Sequence, residues 1–166
     1  MPPSGSPVKE AILDDLQNTA LPLIAAGVSD PPVSGDAYYT AVAKIQRIEA
    51  GPMEVKVFPA IIIVPLNTDY NVEGTEGTLT SAAAYRIQLA LFLRTRTDAA
   101  SKVERFIRDV HKAILIDRYR NGNALNTRVT SDEVFYPTED DEPYTTANVI
   151  LEVDYRTLWD NLNQPT

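Results

Sequence analysis

The chain has 166 residues, the usual size of one domain, and this length can bury roughly 70% of the unfolded surface. It has no cysteine and one histidine, which excludes disulfides, thiolate metal sites and any site that needs several histidines. The net charge is −8; residues 1–130 hold 14 acidic and 14 basic residues, whereas residues 131–166 hold nine acidic residues and one basic residue. No apolar run approaches the roughly 20 residues that span a bilayer, so we expect no membrane segment.

The first part of the chain predicts a flexible arm, a helix and a loop. Residues 1–6 are rich in Pro, Ser and Gly, and Ser6-Pro7 is a typical helix start. Apolar residues then recur at helical spacing, and Pro22 is expected to end or kink the helix near Leu21. Residues 27–36 contain two prolines and two glycines and predict a loop.

Three strands are expected in the middle of the chain. Residues 38–49 are rich in β-branched and aromatic side chains, and residues 55–64 are almost continuously apolar, although Pro59 limits where regular pairing begins. Residues 84–94 alternate between apolar and polar and predict the clearest strand. Residues 67–81 are polar, contain two glycines and have no periodicity, so we predict a long loop there.

A second helix and two more strands are expected to complete the fold. Thr97 or Asp98 should cap the helix, and Asn121-Gly122 should stop it. Two strands, residues 128–136 and residues 146–155, flank an acidic turn, and the second of them has apolar residues at every other position from Ala147 to Tyr155.

The predicted order of elements is α-β-β-β-α-β-β, with no internal repeat. It indicates a single α+β domain over residues 1–166. The simplest arrangement is one mostly antiparallel sheet of about five strands with two helices packed against it.

Sequence motifs for catalysis are missing. There is no Gly-x-Ser-x-Gly elbow, phosphate-binding loop or dinucleotide fingerprint. His111 falls beside the apolar stripe of the second helix, where we expect a half-buried structural histidine. Asp69, Asn71 and Glu73 match the start of a calcium-binding EF-hand loop, but its twelfth position is Thr80 instead of the glutamate that the site needs. We therefore predict no enzyme activity, no cofactor and no metal.

The charges form two consecutive blocks. Residues 94–128 carry nine bases against four acids, and the acidic block of residues 131–166 follows. Two interpretations stay open: solvated faces that sum this way by chance, and electrostatic complementarity between neighbouring copies. Nucleic-acid binding by the basic block is a further alternative, against which the pI of about 4.6 argues. The candidate interface residues are Arg94, Arg96, Arg105, Arg108, Glu139, Asp140, Asp141, Glu142, Asp69, Glu73 and Glu76.

Three stretches of the second half carry a resemblance to a known family. They are residues 85–94 (YRIQLALFLR), the helix of residues 99–117 that follows with almost no linker, and residues 133–139 (EVFYPTE) leading to residues 147–157 (ANVILEVDYRT). These stretches resemble the tail terminator, or tail completion, proteins of long-tailed bacteriophages, the family typified by the lambda tail terminator.

The resemblance implies an α+β subunit of the virion that forms a six-fold ring at the head-proximal end of the tail, after assembly in the host cytoplasm. Its partners would be further copies of itself, the tail tube protein and the neck or head–tail connector protein, with a sheath protein as an additional candidate. DNA would pass through the ring without specific binding, and no enzyme activity or cofactor is implied. The acidic block would either line that lumen or pair with a neighbouring copy.

Two alternative functions stay open. The first is another neck, sheath-end or head-completion protein of a virion. The second belongs to a different class, a small ligand-binding or hydrolytic module, and it predicts a deep pocket with convergent polar groups.

Overall fold

The computed structural model describes residues 8–25, 38–48, 55–75, 78–95, 97–137, 144–158 and 161–165. The helical elements are α1 (Val8–Asp15), a π-helical turn (Leu16–Ala20), a 3₁₀ turn (Leu21–Ala25) and α2 (Ala99–Ile116). The strands are β1 (Lys44–Arg47), β2 (Ala60–Thr75), β3 (Thr78–Arg94), β4 (Asn126–Phe135), β5 (Tyr144–Leu158) and β6 (Asn161–Pro165).

The strands form one sheet in the order β1-β2-β3-β5-β4, and the short strand β6 pairs with β5. Only β1 and β2 run parallel; the other pairs are antiparallel. The predicted α+β class, with two helices and one mostly antiparallel sheet, is therefore confirmed, and β6 is an addition to the predicted order.

The prediction of a long loop at residues 67–81 is wrong, because most of these residues lie in strands. β2 and β3 pair continuously from Thr68↔Tyr85 to Thr75↔Thr78, and β5 accompanies β3 as far as Thr80. Main-chain hydrogen bonds to neighbouring strands do not depend on side-chain polarity, so a polar sequence without periodicity is held as strand. The result is a long β2–β3 hairpin.

Several element boundaries differ from the predicted ones. The strand expected over residues 38–49 is reduced to β1, and β2 begins only after Pro59. Asp98 precedes α2 but makes no side-chain capping bond. The π-helical turn of Leu16–Ala20 is followed by the 3₁₀ turn that begins at Leu21, which is where Pro22 was expected to end or kink the helix. The predicted arm and first loop, and residues 138–143 of the acidic turn, lie outside the described residues.

One face of the sheet, the inner face, packs against both helices and forms the core. The predicted alternation of β3 and β5 is confirmed, since the odd-numbered residues from Tyr85 to Leu91 and from Ala147 to Tyr155 are buried. The predicted apolar stripe of α2 is confirmed as well, from Val103 to Ile114. The opposite, outer face carries the even-numbered residues of β3 and β5.

Candidate functional site

The outward side of α2 is basic and is organised by two tyrosines that precede β1. The guanidinium carbons of Arg105 and Arg108 lie 5.1 and 5.5 Å from the centre of the Tyr39 ring. The ammonium of Lys112 lies 4.9 Å from the centre of the Tyr38 ring. Cation–π contacts of this kind hold the cations against the aromatic rings. The outward side of α2 therefore combines fixed positive charge with aromatic surface.

Asp109, on the buried side of α2, holds the tyrosine segment in place. The Thr40 amide donates to its Oδ2 at 2.6 Å, and the side chain is 2% exposed. Burial raises the pKa of Asp109, an effect that the main-chain hydrogen bonds from Tyr39 and Thr40 oppose. A buried side-chain acceptor thus fixes the path of the chain at Tyr39, and with it the position of Arg105 and Arg108.

A tightly bonded turn follows α2. The Asp117 carboxylate accepts from the amides of Tyr119 at 2.9 Å and Asn121 at 2.7 Å. Arg120, Asn121 and Gly122 all have positive φ, of 46°, 55° and 81°. Left-handed conformations at two consecutive non-glycine residues are uncommon and need support from surrounding bonds. These bonds therefore fix the backbone of the turn, including the backbone of Tyr119.

A buried ion pair, Asp15–Arg120, ties this turn to α1. Arg120 Nη1 lies 3.2 Å from Asp15 Oδ2, and the Arg120 guanidinium also donates to the Ile114 carbonyl. The side chains of Arg120 and Asp15 are 0% and 7% exposed. Burial raises the pKa of Asp15 above its ordinary value, although the charge of Arg120 acts in the opposite direction.

Exposed apolar side chains gather around the same turn. Leu115, Ile116, Tyr119 and Leu125 are 40%, 62%, 62% and 50% exposed, and we call this group the α2-end patch. The Ala124 amide donates to the Tyr119 carbonyl at 2.9 Å, so the backbone just before Leu125 lies close to the backbone of Tyr119. Contiguous exposed apolar side chains are typical of protein contact sites.

A second exposed group lies at the far end of β4. Phe135 and Tyr136 are 45% and 52% exposed and Glu133 is exposed; we call these three residues the β4-tip patch. Phe135 stands opposite Thr146 of β5 on the outer face of the sheet. The patch therefore combines aromatic surface with negative charge.

A ladder of ion pairs crosses the outer face of the sheet, and we call it the surface ladder. Arg86 lies 3.6 Å from Asp69 of β2 and 3.3 Å from Glu152 of β5. Arg128 of β4 pairs with Glu152 and, at 2.9 Å, with Asp154. Burial acts to raise the pKa of Glu152, but hydrogen bonds from Arg128 and Arg86 outweigh it and hold that pKa below its ordinary value. Arg128 thus joins the basic block to the acidic block within a single subunit.

The predicted interface residues fall in different places. Arg105 and Arg108 lie together on α2, whereas Arg94 lies on the outer face with its guanidinium carbon 5.9 Å from the Tyr144 ring centre. Asp69 belongs to the surface ladder. The side chain of Glu73 and the whole of Arg96, Glu76, Glu139, Asp140, Asp141 and Glu142 lie outside the described residues.

Tyr39 and the α2-end patch were not among the predicted interface residues. A signal for the patch is present in the sequence, because Lys112, Leu115 and Ile116 share one side of α2 at spacings of three and four residues, and Tyr119 continues this spacing into the turn after the helix. No comparable pattern in the sequence indicates Tyr39. The hydrogen bond from the Thr40 amide to Asp109 holds the chain beside α2 at this point.

The remaining sequence hypotheses about chemistry concern His111, metals and pockets. His111 is half-buried as predicted, with Nε2 3.7 Å from Asp132 Oδ2. The part of the chain that the structure describes holds no group of three or more His, Asp or Glu residues suited to a metal. Its helices include none with the length and apolar character to cross a bilayer.

A groove of about 450 Å³ lies on the hairpin side of the sheet, beside Leu125 and Tyr155. Its acidic residues, Asp69 and Asp154, face Arg86 and Arg128 in the surface ladder. Carboxylates that are paired with arginines on a surface are poorly suited to acid–base chemistry, which needs shifted pKa values in a cleft.

The chain matches no protein-family model and no curated protein. Among solved structures, it is similar to a chain described as "Virion of native gene transfer agent (GTA) particle", at 7% sequence identity and a TM-score of 0.43. The similarity covers 91% of this chain and 96% of that chain. A likeness of this degree carries no argument about function.

Proposed function

We propose that this protein is a tail terminator, a structural subunit that forms a ring on the finished tail tube of a long-tailed bacteriophage and joins the tube to the neck. The observation that carries the proposal is the sequence resemblance of residues 85–94, 99–117, 133–139 and 147–157 to that family. Those stretches cover the second half of β3, α2, the end of β4 and most of β5, and so include the two neighbouring strands β3 and β5 and the helix packed on the sheet. The resemblance therefore involves the central unit of the fold.

The exposed features of the subunit support a role in protein assembly. The α2-end patch and the β4-tip patch are aromatic or aliphatic surfaces of the kind that other proteins cover. The charges of the surface ladder are paired with one another, including Asp69 and Asp154 beside the groove. The expected partners are further copies of the chain, the tube protein and the neck protein.

Assembly of the purified full chain tests this proposal. Native mass spectrometry and negative-stain microscopy at micromolar concentration should reveal a closed ring, with six subunits as the expected number. Addition of the protein to polymerising tube protein from the same phage should leave short tubes that carry the ring at one end. A strict monomer at all concentrations that also leaves tube growth unchanged would refute the proposal.

Binding order distinguishes the terminator from the alternative of a neck or head-completion protein. A terminator should bind bare tail tubes without any head component, whereas a head-completion protein should bind the connector first. A pull-down with isolated tubes and with isolated connector, each at matched concentration, separates the two functions.

The role of the acidic block in this ring can be tested separately. Reversal of Glu139, Asp140 and Asp141 to lysine should weaken ring assembly if these residues pair with a neighbouring copy. Assembly that is unchanged would leave the lumen or a solvated surface as their position.

A further inference from the structure

We infer that copies of this protein join head to tail, with the β4-tip patch of one copy docked on the outward side of α2 in the next. This inference rests on the proposed function, because it names the interface that would build the ring.

The two surfaces are complementary in charge. The outward side of α2 presents Arg105 and Arg108 around Tyr39, and Arg118 is exposed near its end. The β4-tip patch contains the exposed carboxylate of Glu133 and no basic side chain, so its charge is negative. Opposite potentials steer two surfaces together and fix their register. A second copy of this chain supplies that acidic surface.

The two surfaces also offer apolar anchors. Tyr119 and Ile116 are each 62% exposed at the end of α2, and Phe135 and Tyr136 are about half exposed at the tip of β4. Tyrosine and arginine are enriched among the residues that carry most of the binding energy in protein interfaces. The buried bonds of Asp109 and Arg120 hold the α2 surface before binding, which lowers the cost of ordering it.

The α2-end patch and the β4-tip patch cannot contact each other within one subunit, because they lie at opposite ends of β4. The α2-end patch lies beside Asn126, where β4 begins, and the β4-tip patch lies where β4 ends. Nine steps of about 3.3 Å separate these ends by roughly 30 Å. Two different patches at opposite ends of a subunit give a head-to-tail contact, which produces a ring or a filament when repeated.

The strand edges are less suited to join copies. Where β2 extends past its pairing with β1, it contains Pro65, and its register with β3 shifts between Pro65 and Thr68. On β4, the register shifts between Val129 and Ser131. Proline, bulges and charged side chains on edge strands prevent edge-to-edge pairing of sheets. Side-chain surfaces are therefore the better candidates for contact between copies.

Three double variants of the full chain test the inference. The α2 variant carries Ile116→Ser and Tyr119→Ser, and the tip variant carries Phe135→Ser and Tyr136→Ser. The matched control carries Ile48→Ser and Leu66→Ser, which replace side chains that are 49% and 44% exposed outside both patches. Circular dichroism checks that each variant folds, and sedimentation velocity measures assembly. The α2 and tip variants should assemble at least about tenfold more weakly than the control, which should behave as the unaltered chain does.

A mixture of the α2 variant and the tip variant gives the sharper result. Each variant keeps the surface that the other has lost, so an equimolar mixture should form one-to-one dimers that do not grow, while neither variant dimerises alone. If the unaltered chain forms rings and both variants form them equally well, the inference is wrong although the proposed function stands. A mixture that stays monomeric would also overturn it.

Two further outcomes would refute either the proposed function or the contact between copies. An unaltered chain that never assembles refutes the proposed function itself. The unaltered chain can also be tested for tight, salt-sensitive binding of a 30-base-pair random DNA duplex. If the double change Arg105→Glu with Arg108→Glu abolishes that binding but leaves ring assembly unaffected, the outward side of α2 binds DNA and the inference is wrong.

Discussion

The Asp15–Arg120 pair and the surface ladder use the same chemistry in opposite surroundings. Arg120 is fully buried, and Asp15 almost so, whereas Arg128 and Arg86 of the ladder are 50% and 45% exposed. Charges in the core have lost their hydration and depend on one another, while charges on the surface keep water and salt as substitutes. The single buried pair should therefore matter more to folding than the whole ladder, although the ladder has more contacts.

The change Arg120→Met should have the largest effect. It leaves the Asp15 carboxylate buried without its partner, and removal of one member of a buried pair costs about 3–5 kcal/mol of unfolding free energy. Chemical denaturation monitored by circular dichroism measures this loss. A loss below about 1 kcal/mol would remove the distinction between the two regions.

The double change Asp15→Leu with Arg120→Met is the matched control for that variant. Replacement of a whole buried pair by apolar side chains is often neutral or stabilising. The double variant should therefore recover most of the stability that Arg120→Met loses. If it is as unstable as the single variant, the position of Arg120 matters through its turn and not through its charge.

The pH dependence of stability should differ in sign between the two regions. The pKa of Asp15 is raised on folding, so its contribution is fully present below its ordinary pKa and is lost as pH rises through the folded pKa. The pKa of Glu152 is lowered, so its contribution is present above its ordinary pKa and is lost as pH falls through the folded pKa.

Carboxyl NMR titration of both residues, with denaturation curves at several acidic pH values, checks this prediction. The quantity to follow is the unfolding free energy of the unaltered chain minus that of the Asp15→Asn variant. This difference should decrease as pH rises from the ordinary pKa of Asp15 to its folded pKa. A difference that increases over that interval would show that Arg120 outweighs burial.

The change Arg128→Ala should have the smallest effect. It removes an exposed partner of Glu152 and Asp154, and exposed pairs contribute about 0–1 kcal/mol. The pKa of Glu152 should rise towards its ordinary value in the variant. Denaturation in low and high salt measures the loss, which should shrink as salt screens the pair. A loss as large as that of Arg120→Met would place the ladder among the structural determinants of the fold.

The periodicity of apolar residues predicted the helix and strands in which a repeating local pattern marks the buried side. The alternation from Tyr85 to Leu93 and the stripe from Val103 to Ile114 each mark a buried side, and both are found in the structure. Residues 67–75 have no such pattern, since their strand is stabilised by pairing with β3. Sequence alone could not reveal this pairing, which is made by main-chain atoms.

The candidate site was predicted only where its residues are close in sequence. Arg105 and Arg108 stand out as neighbours on a helix, but their aromatic partner Tyr39 reaches α2 through a bond between residues 69 positions apart. Arg120 looks like an ordinary exposed arginine near a helix end, because its partner Asp15 lies 105 positions earlier. Contacts over such separations follow from the completed fold and leave no trace in local sequence.

The separation of Asp15 and Arg120 also bears on the order in which a ribosome-bound chain can fold. At roughly 5–20 residues per second, the arginine is made about 5–20 seconds after the aspartate. Until then, α1 has no counter-charge for the carboxylate that it must bring into the core. The segment that is translated first therefore takes its final position only after the turn behind α2 has left the ribosome.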